Sequence, residues 1–279
     1  MPGLILEGGT LRPIFSAGAM DCLLDHNIMF PYCIGVSAGI SNGVSYISRQ
    51  HGRNLEILKR YRNDKRYFGK RNLFKSRSLF GVDFVFGTIP NELMPFDQEA
   101  FLRYEGTVLA GVTNALTGNA EYLDCKETDE EHTILRATCA IPGAFPAVHW
   151  KGRIYYDGGI ADSIPIRKAM SDGQEKNLII LTQPADFRKA YAREYDFTIH
   201  LIRRKYPLMV DLLKNRHHLY NETLVYCEHL EEAGKAVILR PDYPLGSLEK
   251  DLGQIEKNYR HGYELCLKNL DRIRALFDA

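Results

Sequence analysis

Nowhere does the sequence carry an uncharged apolar run of 18 residues, so no segment is built to span a bilayer as a helix. The opening Met1-Pro2-Gly3-Leu4-Ile5-Leu6-Glu7 lacks a basic n-region and a long apolar h-region, which argues against a secretory signal. No Cys-x-x-Cys pair occurs. The six cysteines, Cys22, Cys33, Cys125, Cys139, Cys227 and Cys266, are scattered. In a chain of 279 residues that pattern predicts buried thiols in a reducing compartment, with neither a disulfide framework nor a zinc site, and a cytoplasmic location is the default. Charge of one sign is also missing. Lys plus Arg number 36 and Asp plus Glu 35, so the net charge is +1 and no global field favours nucleic acid. Any contact with a membrane or polyanion must come from a local patch. There is no internal repeat, no low-complexity tract and no Gly/Pro/Ser-rich linker, and a single domain over 1–279 is expected. What is present is ordinary globular material, 45% hydrophobic and 25% charged, long enough to bury a substantial core.

Short apolar runs alternate with helical periodicity. Leu4 to Glu7 reads as a strand, followed by a helix with Phe15, Ala19 and Leu23 on one face. Tyr32 to Val36 reads as a second strand, and Ile40, Val44 and Ile47 place a helix directly after it. Thr107 to Val112 is a third strand, with Glu121 to Leu123 as a short partner. Thr128 and Glu131 form a capping box that opens a helix, closed at Pro142-Gly143. Trp150 to Tyr156 reads as a hairpin around Lys151-Gly152. Asn177 to Thr182 is a continuous apolar strand of the buried parallel kind, and Val237 to Leu239 adds a late one. Tyr259, Tyr263, Leu267, Leu270, Ile273 and Phe277 predict a terminal amphipathic helix. This alternation implies an α/β layered sheet.

Three segments carry chemistry. Gly35-Val36-Ser37-Ala38-Gly39 matches G-x-S-x-G and lies between an apolar strand and a helix. In that context the serine occupies a strained turn that lifts its hydroxyl out of the sheet, and glycine two residues away on either side avoids clashes. A glycine-rich turn with an incidental serine is the plainer alternative. Glu7-Gly8-Gly9-Thr10-Leu11-Arg12 also links a strand to a helix. Its paired glycines let backbone N–H groups converge near a helix N-terminus, as an oxyanion, a phosphate or a purely structural turn requires. Asp157-Gly158-Gly159 follows the strand Ile154-Tyr155-Tyr156, and reads either as a hairpin turn or as a carboxylate held at a strand end beside the serine.

Taken in order, these segments resemble the patatin-like phospholipase family, bacterial branch. The family pattern has a glycine-rich oxyanion loop, a G-x-S-x-G elbow and a later D-G-[GA], here at Gly8 to Arg12, Gly35 to Gly39, and Asp157-Gly158-Gly159. Ala140-Ile141-Pro142-Gly143-Ala144-Phe145-Pro146 is similar to the stretch before the family's aspartate. The resemblance covers about residues 3–185, leaving a helical part at about 186–279. The loop departs from the family at Thr10, which keeps its N–H, and at Pro13, which has none. The resemblance implies a three-layer α/β/α fold with a mainly parallel central sheet. It also implies a Ser–Asp dyad, with Ser37 as nucleophile and Asp157 as base. The N–H groups of Gly8, Gly9, Thr10 and Ala38 would hold the oxyanion, with Arg12 orienting the loop or favouring negative charge. An acyl-enzyme would form on Ser37, with no metal or cofactor. The implied substrates are lipid esters: phospholipids, lysophospholipids or acylglycerols.

The chemistry alone leaves other readings open. An ordinary aspartate is a weak base at neutral pH, and α/β-hydrolases run in the order Ser, acid, His. His200, His217, His218, His229 and His261 all follow Asp157, so a triad esterase or acyltransferase is one alternative. A catalytically silent lipid- or protein-binding relative is another. Residues 59–77 hold nine basic residues against Asp64 alone, a local +8 that leaves −7 for the rest. They are Lys59, Arg60, Arg62, Lys65, Arg66, Lys70, Arg71, Lys75 and Arg77, interleaved with Tyr61, Tyr67, Phe68, Phe74 and, just beyond, Phe80. Such a patch suits peripheral contact with anionic lipid at the inner face of a membrane. The same composition fits RNA or single-stranded DNA, though no nucleic acid partner is expected, and it fits a solvated face whose aromatics are core. Leu79 to Phe86 reads as a lid or lipid-facing element.

Overall fold

The computed structural model describes residues 1–70, 72, 78–127 and 129–278. Its centre is one eight-stranded sheet: β1 (Gly3–Leu6), β2 (Tyr32–Val36), β3 (Thr107–Asn114), β4 (Ala120–Asp124), β5 (Val148–Trp150), β6 (Arg153–Asp157), β7 (Asn177–Ile180) and β8 (Ala236–Leu239). The order is β5-β6-β3-β2-β1-β7-β8, with β4 as a further partner of β3. The run β3-β2-β1-β7-β8 is parallel, and β4, β5 and β6 pair antiparallel. β1, β2, β7 and β8 are buried at every residue, which is why they read as unbroken apolar runs.

Helices cover both faces. Alternate strand residues (Leu4, Leu6, Cys33, Leu178) face α1 (Ile14–Asp25) and α2 (Ala38–Ile47). The intervening ones (Ile5, Ile34, Ile179) face the long helix Leu208–Glu232. The three-layer, mainly parallel arrangement inferred from the resemblance is therefore present. Between α2 and β3 come α3 (Arg53–Tyr61), a π-helical segment (Phe84–Leu93) with Pro90 inside it, and α4 (Gln98–Arg103). Then follow α5 (Thr133–Thr138), α6 (Ile166–Ser171), α7 (Glu194–Ile202), α8 (Leu208–Glu232), α9 (Leu252–Lys268) and α10 (Leu270–Arg274).

One feature of the sheet positions the site. Val36, the last residue of β2, pairs with Gly111, and Asp157, the last of β6, pairs with the adjacent Val112. Val112 also pairs with Glu121 of β4. A strand residue has one ladder partner per edge, so β2 and β6 follow each other along the same edge of β3. Residues 121 positions apart thereby meet where both strands stop. Gly158 makes the junction possible, since a Cβ there would lie 2.1 Å from the Gly111 carbonyl oxygen.

Several expectations need correction. The helix expected to run from the capping box to Pro142 is α5 alone. Thr128 lies outside the described residues, and the Thr133 N–H is instead capped by Asp129 Oδ1 at 2.8 Å. The chain leaves the helix after Thr138 because the Ala140 carbonyl accepts the Asp157 N–H. The terminal helix is two, divided at Asn269.

In the basic segment, Arg71, Phe74, Lys75 and Arg77 lie outside the described residues. Arg62 is buried and donates to the carbonyls of Leu248 and Glu249, while Arg60 and Arg66 pair with Glu56 and Asp64. Tyr61, Tyr67, Phe68 and Phe80 belong to an apolar cluster with Leu11 and Ile14. Lys65 and Lys70 are exposed. All six cysteines are free, five of them buried.

Candidate active site

Ser37 follows β2 and precedes α2 with φ 53° and ψ −137°, a left-handed conformation in a non-glycine residue. Such strain persists only where the surroundings impose it. Here the Ser37 N–H donates to Thr138 Oγ1 at 2.8 Å, and the Thr138 hydroxyl donates to the Gly111 carbonyl at 2.6 Å. Thr138 thus ties the elbow to β3. Thr138→Val is expected to cost about 1–3 kcal/mol, because it leaves a buried N–H unpaired. Thr138→Ser, which keeps the oxygen, should recover most of that in a denaturant titration.

The Gly8-Gly9-Thr10 turn leaves β1 directly over this elbow. A Cβ on Gly8 would come within 2.9 Å of the Ser37 Cβ, so only glycine allows the approach. Among the described residues the N–H groups of Gly8, Gly9 and Thr10 have no hydrogen-bond acceptor, and Ala38 stands at the open N-terminus of α2. The Arg12 N–H is different, donating to the Gly9 carbonyl at 3.1 Å. Thr10 takes φ 59° and keeps its amide free. Pro13 lies past the turn as the N-cap of α1, a position where a missing N–H costs nothing. Glu7 anchors the turn from below. Its Oε2 accepts the Thr182 N–H at 2.6 Å and its Oε1 accepts the Tyr220 hydroxyl at 2.9 Å.

Asp157 is 6% exposed, and its Oδ1 accepts the Gly159 N–H at 2.7 Å. Burial pushes its carboxyl above the usual 3.8. The Ser37 side chain, the Gly159 N–H and the charge of Arg216 pull the other way. A carboxylate made more basic by burial and set beside a hydroxyl is chemically able to take its proton. Cys139 is a second potential nucleophile close to Ser37, but burial pushes its thiol up to about 12, so the thiolate is absent at neutral pH.

Ser37 stands where two cavities meet. One is apolar, of about 170 Å³, lined by Ile57, Leu58, Val85, Phe86 and Ile89 among others. Phe80 and Val82 also line it, so Phe80, Val82, Val85 and Phe86 are the residues of the Leu79 to Phe86 segment that face this cavity. The other is larger and more polar, about 480 Å³, lined by Gly8, Gly9, Arg12, Asp157, Lys189 and Arg216 among others. His200, His217, His218, His229 and His261 line neither cavity. His132, which sequence reasoning did not single out, lines the apolar one. Burial lowers its pKa, with Arg53 and Arg136 acting in the same sense, and its ring meets Phe96 edge-on. Among the described residues no cluster of three or more His, Cys, Asp or Glu side chains could hold a metal ion, and no helix is long and apolar enough to cross a membrane.

Thr138, Lys189 and Arg216 were also missed. Thr138 precedes the recognisable Ala140 to Pro146 stretch by two residues, and its position was the only available hint. Lys189 and Arg216 lie in the part of the chain that no motif reaches.

Comparison with known proteins identifies the family. Residues 4–170 match the family of patatin-like phospholipases, and residues 206–278 match a domain of unknown function, DUF6363. The uncharacterized protein YjjU of Escherichia coli K12 is 26% identical over 196 residues, 65% of this chain and 52% of that protein. The chain thus spans about half the length of that curated relative. The crystal structure of VipD from Legionella pneumophila aligns with 97% of this chain and 66% of its own, at 14% identity and a TM-score of 0.49. With the family match covering more than half its length, the chain belongs to the patatin-like phospholipases.

Proposed function

We propose that the protein is a serine acyl hydrolase that cleaves carboxylic esters of lipids through Ser37 and Asp157. The observation that carries this reading is the set formed by the Ser37 hydroxyl, the buried Asp157 carboxylate and the uncommitted amides of Gly8, Gly9 and Thr10 in the larger cavity, with Ser37 also opening onto the apolar one. Asp157 takes the Ser37 proton as the oxygen attacks the ester carbonyl carbon. The resulting oxyanion is received by the amides of Gly8, Gly9, Thr10 and Ala38, donors of the kind whose individual loss costs about 10²–10³ in rate. Collapse expels the alcohol, which leaves with the proton held by Asp157. Water then attacks the acyl-enzyme, gives its proton to Asp157, and releases the fatty acid and Ser37. The acyl chain occupies the apolar cavity and the alcohol portion the polar one. A histidine-dependent triad has less support, because none of the five histidines after Asp157 lines either cavity.

The test is covalent labelling with a fluorophosphonate. The intact protein should be labelled on one serine and Ser37→Ala should not be labelled at all. An unlabelled wild type that is folded would refute the reading, and so would a Ser37→Ala variant that is labelled as readily as wild type.

A further inference from the structure

The polar cavity beside Ser37 is built for more than an alcohol. Three cations line it: Arg12 from the turn after β1, Lys189 from the chain after β7, and Arg216 from α8. Among the described residues none of the three forms an ion pair. Arg12 Nε is buried with no hydrogen-bond partner. Lys189 is pinned at both backbone atoms, its N–H donating to Asn221 Oδ1 at 2.8 Å and its carbonyl accepting from Asn221 Nδ2 at 2.9 Å. This holds its Nζ 4.2 Å from the centre of the Tyr220 ring. Arg216 is braced by the Gly159 carbonyl and the Tyr195 hydroxyl. Gathering unpaired cations in one partly buried pocket is costly, and the strain is visible in Lys189. Burial, with the charges of Arg216 and Arg12 and against the charge of Glu7, pulls its ammonium down to about 7. An anion that bridged the three would relieve both the repulsion and the unmet donor of Arg12.

The cavity offers little to a cation. Its carboxylates are Glu7, whose two oxygens are already taken by Tyr220 and Thr182, and Asp157, which faces Ser37. We propose that this cavity is a subsite for a phosphoryl group, and that it selects lipid esters whose headgroup is an anionic phosphate over neutral acylglycerols and over zwitterionic headgroups. Lys189 is the specificity-determining residue. The proposal rests on the reading of Ser37 as the nucleophile, since the phosphate is the headgroup of the ester being cleaved there. The phosphoryl group binds without reacting.

The test uses short-chain esters that stay monomeric, all with the same acyl groups: dihexanoyl phosphatidylglycerol, dihexanoyl phosphatidylcholine and dihexanoylglycerol. Wild type should prefer the phosphatidylglycerol through a lower KM. In Lys189→Gln the ratio of kcat/KM between phosphatidylglycerol and dihexanoylglycerol should fall about tenfold, the scale of one charge-assisted contact. Lys189→Arg should keep most of the ratio. Equal use of the three esters by wild type would overturn the proposal. So would a Lys189→Gln variant that slows all three by one common factor, as a merely structural lysine would. Calorimetry with glycerol 3-phosphate and with inorganic phosphate separates this from the catalytic reading. Glycerol 3-phosphate should bind Ser37→Ala and bind the double variant with Lys189→Gln about tenfold more weakly, a result that upholds the subsite even if no ester is turned over. Inorganic phosphate binding as tightly as glycerol 3-phosphate, with no preference among the esters, would assign the site to free phosphate and reject a headgroup role.

Discussion

Replacing Asp157 with asparagine is expected to lower turnover of a soluble ester by about 10²–10⁴-fold, the usual range for loss of a general base, while raising thermal stability. Asparagine can still accept the Gly159 N–H, so the local hydrogen bond survives, but it cannot take a proton from Ser37. The gain in stability follows from burial. The carboxyl has a higher pKa in the folded chain than its ordinary 3.8. The folded state therefore binds this proton more tightly than the unfolded chain does. At pH above the raised value the carboxylate is charged and the penalty on folding is complete. As pH falls through that value, protonation relieves it. The advantage of Asp157→Asn in thermal denaturation should accordingly be largest at pH 8 and shrink towards pH 4. In wild type the acid limb of kcat/KM against pH should lie above the ordinary aspartate range. Ser37→Ala should abolish turnover more completely, by about 10⁶, and combining the two should add little, because residues acting as a unit are not additive. Full activity in Asp157→Asn, or a variant that melts below wild type at pH 8, would remove Asp157 from the role of base.

The parts of the site that share a short stretch of chain are legible in the sequence itself. Gly35 to Gly39 is strand, elbow and helix start at once, and the Gly8-Gly9 turn follows β1 immediately, so local spacing already states the geometry. The proposed pairing of Ser37 with Asp157 is legible only through the family resemblance. Its physical cause is the sharing of one edge of β3 by β2 and β6, a register that no local pattern encodes. The cations of the polar cavity are invisible for a related reason. Arg216 lies among polar neighbours in Lys214-Asn215-Arg216-His217-His218, as on a solvated helix face. Only the packing of α8 over β1 and β7 turns that residue toward Gly159. In the basic segment Lys65 and Lys70 are exposed, but one of its cations is internal. Its density of charge suggests an open surface, yet Arg62 is an internal strut holding the carbonyls of Leu248 and Glu249.

Placing a methyl group where α1 crosses α9 is expected to unfold the link between the two ends of the chain. A Cβ on Gly18 would sit 1.9 Å from the Tyr259 carbonyl oxygen, and one on Gly262 would sit 1.9 Å from the Phe15 carbonyl oxygen. Both obstacles are backbone, so no rotamer change clears them. An alanine in a helix ordinarily gains up to about 1 kcal/mol over glycine through propensity. Here overpacking reverses the sign, and Gly18→Ala or Gly262→Ala should each lose about 1–3 kcal/mol or more. Gly87→Ala is the internal control, since the nearest atom to its new Cβ is an Arg136 nitrogen at 3.7 Å. The crossing is flanked by the Tyr259 hydroxyl on Asp21 Oδ2 at 2.7 Å and the Tyr263 hydroxyl on Asp25 Oδ2 at 2.8 Å, bonds that separation of the helices would also break. α1 begins directly after the Gly8-Gly9-Thr10 turn, so displacing it moves the amides proposed to receive the oxyanion. We propose that residues 1–279 fold as one cooperative unit, the segment matched separately at 206–278 included, because β8 extends the sheet beyond β7 and α9 locks onto α1. Wild type should then melt in a single transition, and Gly262→Ala should shift that transition as a whole and lower ester turnover with it. Two transitions in wild type, or a Gly262→Ala variant with the melting point and turnover of wild type, would show that the C-terminal helices are an appendage to the site.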